Sequence, residues 1–593
     1  MKFMSEEPKN IWKKTLSRNP FVFGLILAAA GSITIGMIGA ACGLARDATK
    51  FSAASFGASI VLVLIIWPTV VFIRWQCCRR NLKKSIFGLV CFATLIALFY
   101  AEENWRGRRA WENYKREWEA KGEKFDFKDF IPPPVPDQQN FAMTPVVATC
   151  YDYILTRDGK KISSERRDTK LVNRLSFDLG DAALRTNGIG YWAKGTLSHL
   201  EFYQANYRAL AAETNLFAVP GHPQSPAADV LLALGKYDAT VEELRRAIQR
   251  PYCRFPLNYD SENSAEILLP ALSAMKSSTQ LLCLRALAEL QAGQSDKALA
   301  DVQLALRLVD GIRSEPFLIS HLVRIAITEI MLQPIYEGLA NRQWTDSQLV
   351  TLDAELAKLD FPADFKFCMR SERAWSSGII DYLSKNKRYK KFQELQRMEF
   401  DQKDDTTTAG QLRGTAAAIG FTLMPSGWFE QNKLAIARIY DQWLLHIADE
   451  EKHQILPKIC NEISPRLANW KSSPLNFFVK LMLPSLPTTS RKCAREQISV
   501  DLARTAIALE RYRLAHGEFP ESLDALAPQF VAQVPHDVIG GKPLKYRREA
   551  NGQFTLYSVG WNEKDDGGVT FINKGGTQPI FDKGDWVWRY PQK

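Results

Sequence analysis

The chain has 593 residues, 46% of them hydrophobic and 24% charged, with 76 Lys and Arg against 65 Asp and Glu and a formal net charge of +11. Twelve basic and three acidic residues fall in the first hundred, so nine of those eleven excess charges lie there and the rest of the chain carries only +2. The basicity marks membrane topology rather than a phosphate-binding surface, and no nucleic-acid partner is expected.

Three apolar segments open the chain, at residues 21–44, 57–73 and 85–100. A helix rising about 1.5 Å per residue needs about 20 apolar residues to cross roughly 30 Å of hydrocarbon, so all three read as membrane spans. The first is too long for a signal peptide and two more follow it. The shorter second and third draw on Trp75 and Tyr100 as interfacial anchors. Lys2, Lys9, Lys13, Lys14 and Arg18 precede the first span, and Arg74, Arg79, Arg80, Lys83 and Lys84 lie between the second and third. Positive charge is retained on the cytoplasmic side, so both stretches belong inside and everything after Tyr100 is exported.

The sequence thus predicts a membrane protein of five parts: a cytoplasmic basic tail (1–20), a three-helix anchor (21–100), a juxtamembrane helix and Pro-rich linker (101–148), an irregular all-α region of helical hairpins (149–488), and a small α+β unit (489–593). The juxtamembrane stretch AEENWRGRRAWENYKREWEAKGEKFDF lacks Pro and predicts a helix, either lying on the lipid surface or standing as a solvated stalk. Pro132, Pro133, Pro134 and Pro136 then predict an extended polyproline spacer. This stretch resembles a module of uncharacterised bacterial envelope proteins, which implies a bacterial inner membrane and a periplasmic large part.

From about 170 to 470, helix-period segments alternate with Gly, Pro or polar breaks. In LLCLRALAELQAGQSDKALADVQLALRLVDG, the small residues Ala286, Gly293, Ala298 and Ala305, with Leu282 and Val302, resemble the pattern of tetratricopeptide repeats. GKYDATVEELRRAI matches in part through Gly235, Tyr237, Leu244 and Ala247. The irregular spacing of the two excludes a regular array and predicts an irregular stack with an extended groove for protein partners. SEPFLISHLVRIAITEIMLQPIYEGLA and TDSQLVTLDAELAKL are further predicted helices, and SSPLNFFVKLMLPSLP, too short for a span, is a packed or membrane-surface helix.

Near the C-terminus, Ile498, Leu502, Ala506, Leu509 and Tyr512 form one stripe on a helix starting after residue 488 and ending at Gly517. A short helix at PESLDALAP follows, and Asn551-Gly552 between alternating segments predicts a β-hairpin. LERYRLAHGEFPESLDAL, VPHDVIGGKPLKYRR and FTLYSVGWNEKDDGG resemble the soluble domain of the type II secretion major pseudopilins over about 100 residues. In that family the last loop binds calcium, which implies Asp565, Asp566, Asp582 and Asp585 as ligands here. The chain departs from the family in placing Pro484 and Pro487 before this helix, without a processed leader, so the unit reads as a recognition module rather than a pilus subunit.

No phosphate loop, G-x-S-x-G elbow, H-E-x-x-H or C-x-x-C motif is present, and Gly188, Gly190 and Gly195 mark a turn. His446, Glu450 and His453 in HIADEEKH would share one face of a helix that could hold a zinc ion, but Asp449, Glu451 and Lys452 surround them as on a solvated helix and no fourth ligand is suggested. Cys150, Cys253, Cys283, Cys368, Cys460 and Cys493 show no disulfide pattern, and Cys283 reads as a packed thiol. The leading expectation is therefore a non-catalytic, membrane-anchored scaffold that binds other envelope or secretion proteins. A tethered hydrolase acting on an envelope polymer is the alternative, and a deep pocket holding paired, perturbed carboxylates would favour it. A small sensor or transporter is the third.

Overall fold

The computed structural model describes residues 79–590 apart from 152–153, 156–161, 164–173, 181–187, 215, 262–263, 387–389, 391–392, 394–416, 484–485 and 575–578. The first two expected spans lie outside the described residues. The chain forms two compact units, Met1–Glu102 and Glu103–Lys593.

In the first unit the third apolar segment belongs to helix α1 (Arg79–Glu119). Phe87, Leu89, Phe92 and Leu95 project outward, and none of its 18-residue apolar window is buried. A helix that is apolar all round and covered by no core is suited to lipid. Three described helices are long and apolar enough to cross a membrane: Leu82–Glu119, Ser264–Gln291 and Leu318–Ala340. The last two were not foreseen as apolar enough. They bury 50% and 61% of their windows inside the protein.

The second unit is mostly helical, with a small C-terminal strand region, and one continuous core runs from Phe127 to Trp588. Its longer helices begin with α2 (Leu200–Thr214), α3 (Pro226–Leu234) and α4 (Asp238–Ala247). The segment read as a hairpin becomes α5 (Pro270–Gln291) and α6 (Ser295–Gly311), turning at Gly293, whose φ of +73° suits glycine. Ala286, Ala298 and Ala305 are wholly buried, which lets the two helices approach closely. Asp301 of α6 accepts from Arg285 Nε of α5 at 3.0 Å and also from Arg245 of α4, so one buried carboxylate ties three helices. Next come α7 (Leu318–Ala340), α8 (Asp346–Leu356) and α9 (Phe361–Asn386). Helix α8 starts at a capping box in which the Thr345 amide donates to Gln348 Oε1 at 2.9 Å.

The remaining helices are α10 (Ser426–Gln442), α11 (Pro457–Ala468), α12 (Phe477–Met482) and α13 (Leu486–His516). The short α12 buries Phe478, Val479 and Met482, so this part of the SSPLNFFVKLMLPSLP segment packs into the core. Helix α13 starts at Leu486, earlier than expected, because Pro487 occupies the first turn, where its missing N–H costs nothing. It is buried on most sides rather than along one stripe, packing against α7, α8, α9 and α11. The C-terminal segment therefore shares the core of the helical region.

Strands are short. β1 (Ile154–Leu155) pairs with β2 (Ile162–Ser163), and β3 (Ala448–Asp449) with β4 (Gln454–Ile455). β5 (Lys545–Arg548) and β6 (Phe554–Ser558) form the hairpin announced by Asn551-Gly552, with Arg548 opposite Phe554 and Gly552 at φ +74°. β7 (Thr570–Ile572) pairs with β8 (Pro579–Gly584), and β9 (Trp586–Trp588) completes a three-stranded antiparallel sheet beside β6. Trp588 seats this sheet on the helices, 5.4 Å from the ring of Trp192 and 5.5 Å from that of Tyr336.

From Glu103 onward, α1 is not a free-standing stalk, because it docks on α10. Asn104 Oδ1 accepts from the Gly427 amide at 2.8 Å, and Glu103 Oε2 accepts from Trp428 Nε1 at 2.7 Å. Tyr114 donates to Asp441 Oδ2 at 2.7 Å. The fully buried Arg373 of α9 pairs with Asp441 and, at 2.7 Å, with Glu123 just beyond the helix, its guanidinium 4.2 Å from the Phe125 ring. The expected spacer is likewise a strap held to the body: Phe127 and Phe130 are buried before it, and Arg254 Nε donates to Pro132 O at 2.8 Å.

Candidate functional site

HIADEEKH does not form a helix. Leu444–His446 make a single 3₁₀ turn, and β3 and β4 follow as a two-stranded hairpin. Asp449 Oδ1 accepts from the Lys452 amide at 3.1 Å to close the turn, and the Ile455 amide donates to Val538 O at 2.8 Å. These bonds offer the backbone an alternative to the helix that the charged composition would tolerate. The zinc face therefore does not exist. His446 and Glu450 line one cleft, whereas His453, at φ +49°, sits 3.6 Å from Asp360 and hands its carbonyl to His536 Nε2 at 3.1 Å. Burial, opposed by Asp360, pushes the His453 imidazole below its ordinary value.

That cleft has a volume of about 620 Å³, the size of a small-ligand site. Trp443 and His446 come from the end of α10 and the turn after it, Asp449, Glu450 and Glu451 from the hairpin, Glu462 and Arg466 from α11, and Lys366 from α9. The charged side chains lining it are four carboxylates against one Lys and one Arg, and Lys452 and Arg370 also pair with Asp449 and Glu450. Glu450 stands 3.8 Å from Lys366 and 3.5 Å from Arg370, long contacts that leave the carboxylate open to a ligand. The Arg466 guanidinium lies 5.5 Å over the Trp443 ring, holding the indole as one wall.

The four aspartates implied as calcium ligands take separate partners. Asp565 accepts from Tyr557 OH at 2.9 Å and pairs with Lys545 at 3.1 Å, which together hold its carboxyl below the usual range. Asp566 Oδ2 accepts from Asn562 at 2.8 Å. Asp582 pairs with Arg491. Asp585 is buried and accepts from the amides of Gly568 at 2.6 Å and Asp566 at 3.2 Å, so it staples the loop. Among the described residues no group of three or more His, Cys, Asp or Glu is placed to hold a metal ion.

A perturbed carboxylate pair does exist, but in the packed core. Glu329 of α7 and Glu496 of α13 meet there, and Arg495 NH2 lies 2.7 Å from Glu329 Oε1. Burial, reinforced by the Glu329 charge, raises Glu496 well above its ordinary value, while Arg495 keeps Glu329 ionised. The cavity beside Arg495 is only about 20 Å³, room for a water and not for substrate. Sequence reading missed this pair because the two glutamates lie far apart in the chain on helices of ordinary composition. Cys253, Cys283, Cys368, Cys460 and Cys493 are outside any disulfide, and Cys283 is a packed thiol, donating to Ile330 O at 3.5 Å.

No protein-family model, curated protein or solved structure matches this chain.

Proposed function

We propose that the protein is a membrane-anchored, non-catalytic interaction protein, its large unit exported and directed at other envelope or secretion proteins. The observation that carries this reading is the contrast within one chain: Leu82–Glu119 leaves its entire apolar window exposed, while the Glu103–Lys593 unit buries a continuous core and keeps an open acidic cleft at its surface. The cleft, with Glu450, Glu451 and Glu462 beside Trp443, suits a basic segment of a partner protein. The pseudopilin-like C-terminal segment is part of the same body and would lend it rigidity rather than act as a separate arm.

The test is capture from detergent-solubilised membranes with the full chain and with the full-length variant E451K/E462K. Both residues are exposed, so the variant reverses charge without disturbing the core. Proteins held by the parent chain and lost from the variant support the reading; identical capture by both removes the cleft from it.

The same cleft supports a second reading, a tethered hydrolase, since His446, Glu450 and Glu462 gather beside an aromatic wall. Release of soluble fragments from an envelope polysaccharide by the purified full chain, lost in E450Q, would favour it.

A further inference from the structure

A second cleft, somewhat larger than the acidic one, lies under the strap, with a volume of about 700 Å³. Its walls are residues 129–135, the turn of residues 248–254 after α4, the C-terminal end of α6, and the first turns of α9. Phe130, Pro133, Pro251, Tyr252 and Phe367 make much of it apolar. Its polar lining is dominated by guanidinium groups, from Arg250, Arg254, Arg307 and Arg313.

The charges do not cancel. Asp364 is used on both oxygens, by Arg313 Nε at 2.9 Å and by the buried Arg324 at 2.6 Å, and Asp310 is paired with Arg307. Arg250 donates only to main-chain carbonyls, of Asp137 at 2.8 Å and Asn140 at 2.9 Å, and Arg254 donates to Pro132 O. Among the described residues neither has a carboxylate partner. With Arg324 counted, five guanidinium groups face Asp129, Asp310 and Asp364, two positive charges in excess. Each of the two unmatched forks keeps N–H donors spare, and a planar fork of donors matches a carboxylate or phosphate. The backbone bonds of Arg250 and Arg254 fix them in place before any ligand arrives, which lowers the ordering cost of binding.

We infer that this cleft binds a small organic anion, its carboxylate or phosphate head held by Arg250 and Arg254 and its apolar body lying against Phe130, Pro133 and Tyr252. The site is separate from the acidic cleft and of opposite charge, so it stands whether or not the partner-binding reading does.

Calorimetric titration of the full chain in nanodiscs tests this with three soluble probes: N-acetyl-leucyl-phenylalanine, its C-terminal amide, and phenyl phosphate. The free acid or the phosphate should bind at least tenfold more tightly than the neutral amide, and whichever does so identifies the head group. R250Q/R254Q should abolish that preference while the chain stays folded, its melting temperature lowered only by the loss of the bonds to Asp137, Asn140 and Pro132 carbonyls. Should that variant fail to fold, A363W, which fills the cleft from α9, carries the test and should remove binding of the preferred probe. Equal binding of acid, phosphate and amide, no binding by any of the three, or a preference surviving either folded variant would overturn the inference.

Discussion

Gly107 and Gly427 lie back to back where α1 crosses α10, so close that a Cβ on Gly107 would sit 2.1 Å from Gly427 O and a Cβ on Gly427 would sit 2.0 Å from Glu103 O. Neither position has room for any side chain, and the obstruction is main chain, which cannot rotate away. Replacing either glycine must separate the helices and strip Glu103 and Asn104 from their partners on α10. G107V or G427V should therefore destabilise the large unit by at least the ~1–3 kcal/mol typical of overpacking, seen as a lower unfolding midpoint. An unchanged midpoint would contradict the crossing.

Arg373 binds the same region from the other side. Its guanidinium is buried between Asp441, Glu123 and Phe125, and Tyr114 reaches Asp441 as well. Deleting one partner leaves a buried charge uncompensated, so R373M should cost about 3–5 kcal/mol in denaturant unfolding. Y114F, which removes a single hydrogen bond to that carboxylate, should cost less, ~1.5–3 kcal/mol. Restoring neutrality with R373M/D441L should recover part of the loss, whereas additive losses would deny that the two residues are coupled.

Buried carboxylates give the fold a pH dependence. Burial, opposed by a bond from Ser320, lifts Glu315 to about 7; burial, eased by Gln497, lifts Asp501 to about 7; and burial, eased by the amides of Ile539 and Val559, lifts Asp537 to about 6. In the unfolded chain these groups release their protons near pH ~4. Between that value and pH 6 to 7 the folded state holds more protons, so the stability they supply, complete below pH ~4, is lost as pH rises through 6 to 7. Melting points should fall between pH 5 and 8, and E315Q/D501N should flatten the fall. A rise in stability over the same range would contradict the assignment.

Orientation is open to direct labelling. Under the charge distribution read from the sequence, a cysteine at exposed Lys297 should react with a membrane-impermeant maleimide on intact spheroplasts, and one at Asn10 only after permeabilisation. The reverse pattern would invert the topology.

What the sequence disclosed was local. Gly517, at φ +85°, ended a helix where expected, and Asn551-Gly552 placed a hairpin, because each rests on a conformation few residues other than Gly adopt cheaply. What stayed hidden was tertiary. Glu496 and Asp501 are not part of the apolar stripe named from the sequence, yet α13 buries both. Only the approach of Arg495, Glu329 and Gln497 makes their burial tolerable. HIADEEKH has helical composition, and Val538, some 80 residues on, recruits Ile455 into a bridge instead. The strap cleft draws its arginines from stretches more than a hundred residues from the prolines opposite them, so no local spacing could reveal it.

The most direct test of the interaction-protein reading is quantitative capture from solubilised membranes by the full chain and by full-length E451K/E462K, with matched melting points as the folding control. The account predicts a discrete set of envelope or secretion proteins retained by the parent and lost when the cleft charge is reversed. No specific protein with either would contradict it, and equal retention by both would remove the cleft from the reading.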